Sequence, residues 1–243
     1  MKIIKLDAID STNLFLKAFS AQESCENFTV VSTELQTEGR GQRGSGWTSE
    51  KGKNLVFSIL YCHKVEQINS LFTLNIIVAL SVVEALNSNS KLNFVIKWPN
   101  DILSENKKIA GILIENTIKN QNDIQSIIGI GLNVNQSYFE NLPQASSLFL
   151  LENQIFDREV LLISILNRLE FNLNQLPILG ESYFWKAYHD FLFKKGVVST
   201  FESVSGNRFV GKIQKVTNDG KLAVLLEDNS EVMFDVKEVR MLY

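Results

Sequence analysis

The chain has 243 residues, 45% hydrophobic and 21% charged, with a formal net charge of −3 at neutral pH. A chain of this length buries roughly 70–75% of its unfolded surface and folds without disulfide or metal staples, and its slightly acidic balance argues against general nucleic-acid binding. Cys25 and Cys62 lack C-x-x-C spacing, His63 and His189 form no metal-ligand pattern, and the opening Met-Lys-Ile-Ile-Lys-Leu-Asp has no apolar signal core. The apolar stretch near residues 76–83 is too short to span a bilayer, so a cytoplasmic location is expected.

In chain order, a strand over residues 3–9 leads into Asp10-Ser11-Thr12-Asn13, four capping residues ahead of an apolar helical segment. On the residues alone, Ser11 and Thr12 read as an N-cap. Strands at 28–34 and 55–62 flank a glycine-rich loop. Apolar residues at 68, 71, 72, 76, 79, 80, 83 and 86 carry the 3.6-residue period of a core helix. A strand then ends at Lys97-Trp98, followed by a turn at Pro99-Asn100-Asp101 where the chain is expected to leave the sheet. A hairpin over 108–118 and 124–133 encloses a polar loop at 119–123, and helices are expected over 157–175 and 180–193. After Lys194-Lys195-Gly196 only short strands follow, at 197–204, 208–216, 221–227 and 231–236, joined by turn residues. The expected architecture is α+β: a mixed, mostly antiparallel sheet with helices over 1–194, and a small β-barrel over 195–243.

The loop at 39–47 reads Gly-Arg-Gly-Gln-Arg-Gly-Ser-Gly-Trp. Repeated glycine lets backbone N–H groups converge, Arg40 and Arg43 make the convergence point an anion site, and Trp47 can close over it. The match to G-x-G-x-x-G fails as a dinucleotide fingerprint, because no helix opens after it: residues 45–54 contain two glycines and no apolar period. No G-x-x-x-x-G-K-[ST] is present either. A mobile surface hairpin is the plain alternative.

Three further clusters sit at strand ends. Lys97-Trp98-Pro99-Asn100-Asp101 brings Asn100 and Asp101 to a rim, although it also reads as an ordinary turn. Lys107-Lys108-Ile109-Ala110-Gly111 places a lysine directly before a buried strand. Gly129-Ile130-Gly131-Leu132-Asn133 weakens a strand with two glycines, through close approach of a ligand or through a bulge. Together these supply cations, backbone donors, one carboxylate and an aromatic lid, without a Ser-His-Asp set, a metal set or a cysteine nucleophile. That inventory suits chemistry on a phosphate, where positioning and charge stabilisation do most of the work.

In this order, Asp10-Ser11-Thr12-Asn13, Gln36, the 39–47 loop, Lys97-Trp98-Pro99-Asn100-Asp101, Lys108-Ile109-Ala110-Gly111-Ile112-Leu113-Ile114-Glu115 and Gly129–Asn133 resemble the motifs of the biotin–protein ligases. The resemblance covers about half the chain. It implies a class II synthetase-like catalytic domain with an SH3-like C-terminal barrel. It also implies the activity: biotin and ATP, with Mg²⁺, form biotinyl-5′-AMP and pyrophosphate, and biotin then passes to a lysine of the biotin carboxyl carrier domain of acetyl-CoA carboxylase or a related carboxylase. Ser11, Thr12, Asn13 and Gln36 would hold the biotin end, with Gly111 and Gly131 admitting it to the sheet. Arg40, Gly41, Gln42 and Lys108 would face the biotin carboxylate and the phosphate. Asn100, Trp47, Asn133 and Arg240 fall to the nucleotide, and Asp101 offers a carboxylate to Mg²⁺ or to the incoming lysine.

Relatives often carry basic residues where Gln42 and Ser45 stand, so weaker retention of the adenylate is expected here. With Asp10–Asn13 so near the start, a DNA-reading domain is not expected, and no membrane contact is. Whether the chain pairs as a homodimer is left open. The alternatives are a lipoate- or octanoate-ligase-like enzyme, for which no R-x-x-G-G-G is seen, and a non-catalytic biotin- or nucleotide-sensing module.

Overall fold

Most of the chain is organised by one mixed sheet whose two faces differ. The structure, a computed structural model, describes residues 1–22, 25–68, 70–120 and 122–243, without the side chain of Arg43. The polar loop read at 119–123 and the helix start read at 68 therefore each include a position, 121 and 69, outside the described residues. In chain order the elements are β1 (Lys2–Ile9), α1 (Thr12–Gln22), β2 (Thr29–Gln36), β3 (Leu55–Lys64), α2 (Leu71–Asn89), β4 (Val95–Lys97), β5 (Asp101–Ser104), β6 (Lys107–Ile118) and β7 (Asp123–Leu132). These strands lie in the order β1-β2-β3-β7-β6-β5-β4. β1 and β2 run parallel, joined through α1, and the other neighbours are antiparallel.

Alternation along β7 explains the two faces. Ile128, Ile130 and Leu132 point into the main core with Phe57 and Ile59 of β3, beneath α2 and the later helices. Ile127 points the other way, toward Leu16 of α1, with Val31 and Leu60. Gly129 and Gly131 share that second face but carry no side chain, so α1 covers only part of it and a trough remains beyond its N-terminus.

Three further helices follow: α3 (Leu148–Glu152), α4 (Arg158–Leu179) and α5 (Glu181–Phe191). Asp157 caps α4 by accepting from the N–H groups of Glu159 and Val160. The helix continues past the expected residue 175, with Pro177 in its last turn, and Gly180 (φ 74°) breaks it before α5 starts. α2 is long and apolar enough by composition to cross a membrane, unlike the shorter stretch seen in the sequence, but most of it is buried in the core.

The C-terminal strands β8 (Val198–Ser203), β9 (Arg208–Val216), β10 (Leu222–Leu226), β11 (Glu231–Phe234) and β12 (Val239–Leu242) form a five-stranded antiparallel sheet ordered β11-β10-β9-β8-β12. The fifth strand is the one the sequence reading lacks. Val239-Arg240-Met241-Leu242 is too short to show alternation, and its pairing with β8 defines it. A second strand was also missed: the chain does not leave the sheet at Pro99 but reverses over a cis Trp98–Pro99 bond and returns as β5, with Asp101 opposite Lys97.

Phe201, Ile213, Val216, Leu222, Val224 and Val239 join the main hydrophobic core, so the C-terminal sheet is packed on the rest of the chain. Polar contacts fix its seating. The Trp98 indole donates to the Gly220 carbonyl (2.8 Å), Ser70 donates to Asn218 O (2.7 Å), and Val216 N donates to His189 Nε2 (2.9 Å).

His189 must be neutral at Nε2 to accept that last bond. Burial, then the nearby Lys195 charge, hold it below its ordinary value of 6.5, and burial does the same to His63. Below about pH 6.5 the unfolded chain therefore binds more protons than the folded one, and stability falls as pH drops through the native pKa values. Thermal unfolding followed from pH 8 to pH 5 should show a falling midpoint, and His189→Gln should flatten that fall.

Candidate functional site

The trough on the glycine face is a cavity of about 390 Å³ between the mixed sheet and the C-terminal sheet. Its floor follows from register: Gly111 of β6 lies opposite Gly131 of β7, which also lies opposite Val56 of β3, and Ser58 lies opposite Gly129. Directly opposed residues share a face, so three glycines and one small serine sit together. A Cβ on Gly129 would overlap the Asn13 carboxamide, and one on Gly131 would overlap the Trp47 indole. Glycine in a strand interior costs about 0.5–1 kcal/mol relative to alanine, a cost that here leaves the sheet surface open to close approach.

One wall is polar. Ser11, Thr12 and Asn13 are nearly fully buried at the start of α1. Ser11 Oγ accepts weakly from Leu14 N (3.5 Å), the expected cap, while Thr12 and Asn13 turn inward. Thr12 N and Oγ1 lie 2.9 and 3.0 Å from Gln36 Oε1. Ser58 Oγ sits 2.7 Å from Thr12 Oγ1 and 2.6 Å from Asn13 Oδ1, and Asn13 Nδ2 donates to Glu115 Oε2 (2.8 Å). The sequence reading missed Ser58. Its signal was a lone serine inside the apolar run Val56-Phe57-Ser58-Ile59-Leu60.

The opposite wall is charged. Lys108 Nζ is 2.6 Å from Asp101 Oδ1, and Lys97 Nζ is 3.9 Å from Asp101 Oδ2. Burial lowers the Lys97 pKa despite the facing Asp101, with Lys108 lowering it further. The Lys97 ammonium also lies 5.2 Å from the Tyr243 ring centroid. Asn100 donates through Nδ2 to Ile112 O and accepts at its own carbonyl from Ile112 N, which locks the turn onto β6.

The glycine-rich loop folds over the trough as a small hairpin. Gly41 N donates to Ser45 O (2.7 Å), Trp47 N donates to Gly39 O (2.9 Å) and Ser45 Oγ donates to Gln42 O (2.9 Å). Arg40 is exposed at the rim with no ion-pair partner among the described residues. Trp47 lies on the glycine floor, 5.6 Å from Lys108 Nζ, and its buried Nε1 has no hydrogen-bond partner.

Most of the expected site residues thus meet on one cavity: Ser11, Thr12, Asn13, Gln36, Arg40, Gly41, Gln42, Trp47, Asn100, Asp101, Lys108, Gly111, Gly131 and Arg240 all line it. Asn133 does not. It is buried behind the strand ends, donating through Nδ2 to Ser146 O (2.9 Å) and through its N–H to Ile109 O (2.8 Å), so its polar atoms are engaged by backbone. Arg240 reaches the rim but is paired with Glu202.

Residues 6–133 match the model of the biotin/lipoate A/B protein ligase family, more than half of the chain. The chain belongs to that family. Among its relatives, a bifunctional ligase/repressor BirA of Bacillus spizizenii is 33% identical over 134 residues, 55% of this chain and 41% of that protein. A biotin–[acetyl-CoA-carboxylase] ligase of Mycobacterium tuberculosis is 31% identical over 180 residues, covering 71% of this chain and 66% of that one. The chain therefore spans about two fifths of the length of the BirA relatives it matches. A biotin protein ligase from Aquifex aeolicus, solved in complex with biotin and ATP, superposes with a TM-score of 0.82 at 27% identity, covering 99% of this chain and 98% of that one.

The Trp47 ring and the Gly131 floor exclude any added carbon between them. Gly131→Ala should therefore lift Trp47 into solvent, seen as a red-shifted tryptophan emission with an unchanged far-ultraviolet circular dichroism spectrum.

Proposed function

We propose that this family member is a biotin–protein ligase, which activates biotin with ATP to biotinyl-5′-AMP and pyrophosphate and then transfers biotin to a lysine of a biotin carboxyl carrier domain. The observation that carries the reading is one cavity with a polar wall at one end, a cationic cluster at the other and a glycine floor between them. A bicyclic urea suits the wall of Thr12, Asn13 and Gln36, and a valerate chain suits the glycine floor beside Trp47. The acid end would then meet Lys108 and Arg40. A dithiolane head, as in lipoate, would displace water from that polar wall without offering it a hydrogen bond, at a cost of roughly 1–3 kcal/mol for each group left unpaired.

Adenylation brings a carboxylate oxygen onto the α-phosphorus of ATP, and the bond from that phosphorus to the pyrophosphate oxygen breaks. Two anions must approach, so positive charge held at the junction acts most strongly as they meet. Arg40, unpaired at the rim, and Lys108, on the strand beside the floor, supply it. As Lys108 turns to the phosphate of the new mixed anhydride, Asp101 is released from its 2.6 Å pairing and accepts a proton from the carrier lysine. The lysine nitrogen forms the amide as the acyl carbon–oxygen bond to AMP breaks.

Mg²⁺ enters with ATP as part of the substrate. The residues do not fit a protein-held ion: Asp101 is already flanked by Lys97 and Lys108, and no group of three His, Cys, Asp or Glu residues converges among the described residues. In the same reading, residues 1–194 are the catalytic domain and 195–243 a C-terminal domain that closes the outer side of the cavity. The enzyme would work in the cytoplasm on acetyl-CoA carboxylase or a related carboxylase.

Incubation with ATP, Mg²⁺, labelled biotin or lipoate and a biotin carboxyl carrier domain should label the carrier lysine with biotin; absence of label overturns the reading. Lys108→Ala should slow adenylate formation about 100–1,000-fold, the usual scale for losing one such charge. Lys119→Ala, on the solvated surface, should leave the rate unchanged. Gln42→Arg combined with Ser45→Arg should lengthen adenylate retention, measured as the dissociation rate of labelled biotinyl-AMP.

A further inference from the structure

The polar wall is one proton short, and the shortage has a direction. Asn13 Nδ2 places its two protons on Glu115 Oε2 (2.8 Å) and Leu113 O (3.4 Å). A carboxylate only accepts, so Glu115 fixes which way the Asn13 carboxamide faces and turns Oδ1 toward Ser58. Ser58 must then give its only proton to Asn13 Oδ1, at 2.6 Å. The 2.7 Å contact between Ser58 and Thr12 needs a proton too, and Thr12 alone can give it. That leaves the 3.0 Å contact between Thr12 Oγ1 and Gln36 Oε1 without a hydrogen. Gln36 cannot flip to relieve it, because Thr12 N–H already donates to Oε1 at 2.9 Å.

Three oxygen–oxygen contacts therefore share two hydroxyl protons. Both oxygens at the unfilled contact belong to cavity-lining residues.

We propose that Glu115 is a positioning residue which, acting through Asn13, polarises the chain Asn13–Ser58–Thr12–Gln36 so that the cavity wall demands an N–H donor from its ligand. The inference rests on the biotin reading and deepens it. The ring N–H of a cyclic urea supplies the missing hydrogen, whereas a ring oxygen or sulfur adds another acceptor to a wall already in excess of acceptors. A buried site built for a donor rejects an analogue lacking it far more strongly than a site discriminating by size. Glu115 lies outside the cavity lining and touches no ligand itself, and its neighbour Gly129 leaves Asn13 the space to hold this orientation.

The test measures pyrophosphate release by the full chain with biotin and with its two cyclic carbamate analogues, in each of which one ring N–H is replaced by oxygen. Wild type should reject at least one carbamate by about 100-fold or more in kcat/KM. Glu115→Met keeps the length of the side chain without the acceptor. It should raise the KM for biotin about tenfold with kcat and the KM for ATP little changed, and reduce the discrimination against that carbamate about tenfold (about 1.4 kcal/mol). Glu115→Gln keeps an acceptor oxygen for Asn13 and should restore near wild-type values.

Equal use of biotin and both carbamates by wild type overturns the proposal, whatever the variants do. So does an unchanged KM for biotin in Glu115→Met, or equal impairment in the Met and Gln variants. No turnover of biotin by wild type would instead overturn the ligase reading on which the inference rests.

Discussion

Much of this molecule follows from three missing side chains. A sheet interior is stable when its residues fill the space between layers, yet Gly111, Gly129 and Gly131 are brought together by register and leave one face to be covered by Asn13, Trp47 and the cavity rather than by side chains of its own. The other face compensates. Phe57, Ile59, Ile128 and Ile130 are buried under α2 and α4, so the strands that open the trough are held from behind by dense apolar packing. The cavity is therefore a place where the helices on the far side make it affordable for the sheet to carry nothing.

The second constraint is charge balance. Asp101, Lys97 and Lys108 form a triplet with one negative and two positive members, in a place where Lys97 is desolvated. An anionic ligand at this end of the cavity would offset the net positive charge of the triplet. The turn between β4 and β5 matters to this geometry because it sets Asp101 in register opposite Lys97.

Much of this was legible in the sequence, for reasons that can be named. β6 and β7 are long and rich in isoleucine and leucine, and glycines interrupt those runs where the floor lies. The polar quartet before α1 could be read as a cap, and it is one, but only Ser11 serves the helix, while Thr12 and Asn13 face the cavity. What stayed hidden depends on distant pairing. β5 and β12 are four-residue strands without local signal, defined by partners far along the chain. The resemblance gives Asn133 to the nucleotide, and its engagement by Ser146 O could not be seen from its neighbours. Ser58 and Glu115 act through Asn13, a link that exists only once three strands and a helix have met.

The bond from the Trp98 indole to the Gly220 carbonyl gives the C-terminal sheet a meaning beyond cover. The tryptophan belongs to the turn that aims Asp101, and the glycine (φ 86°) belongs to a tight turn between β9 and β10 whose backbone is packed against Phe72. The two sheets consequently share a joint. A C-terminal sheet grafted from a relative will support this cavity only if its own 217–221 turn presents a carbonyl at the same point, so shuffling among such proteins is limited by one turn rather than by overall similarity.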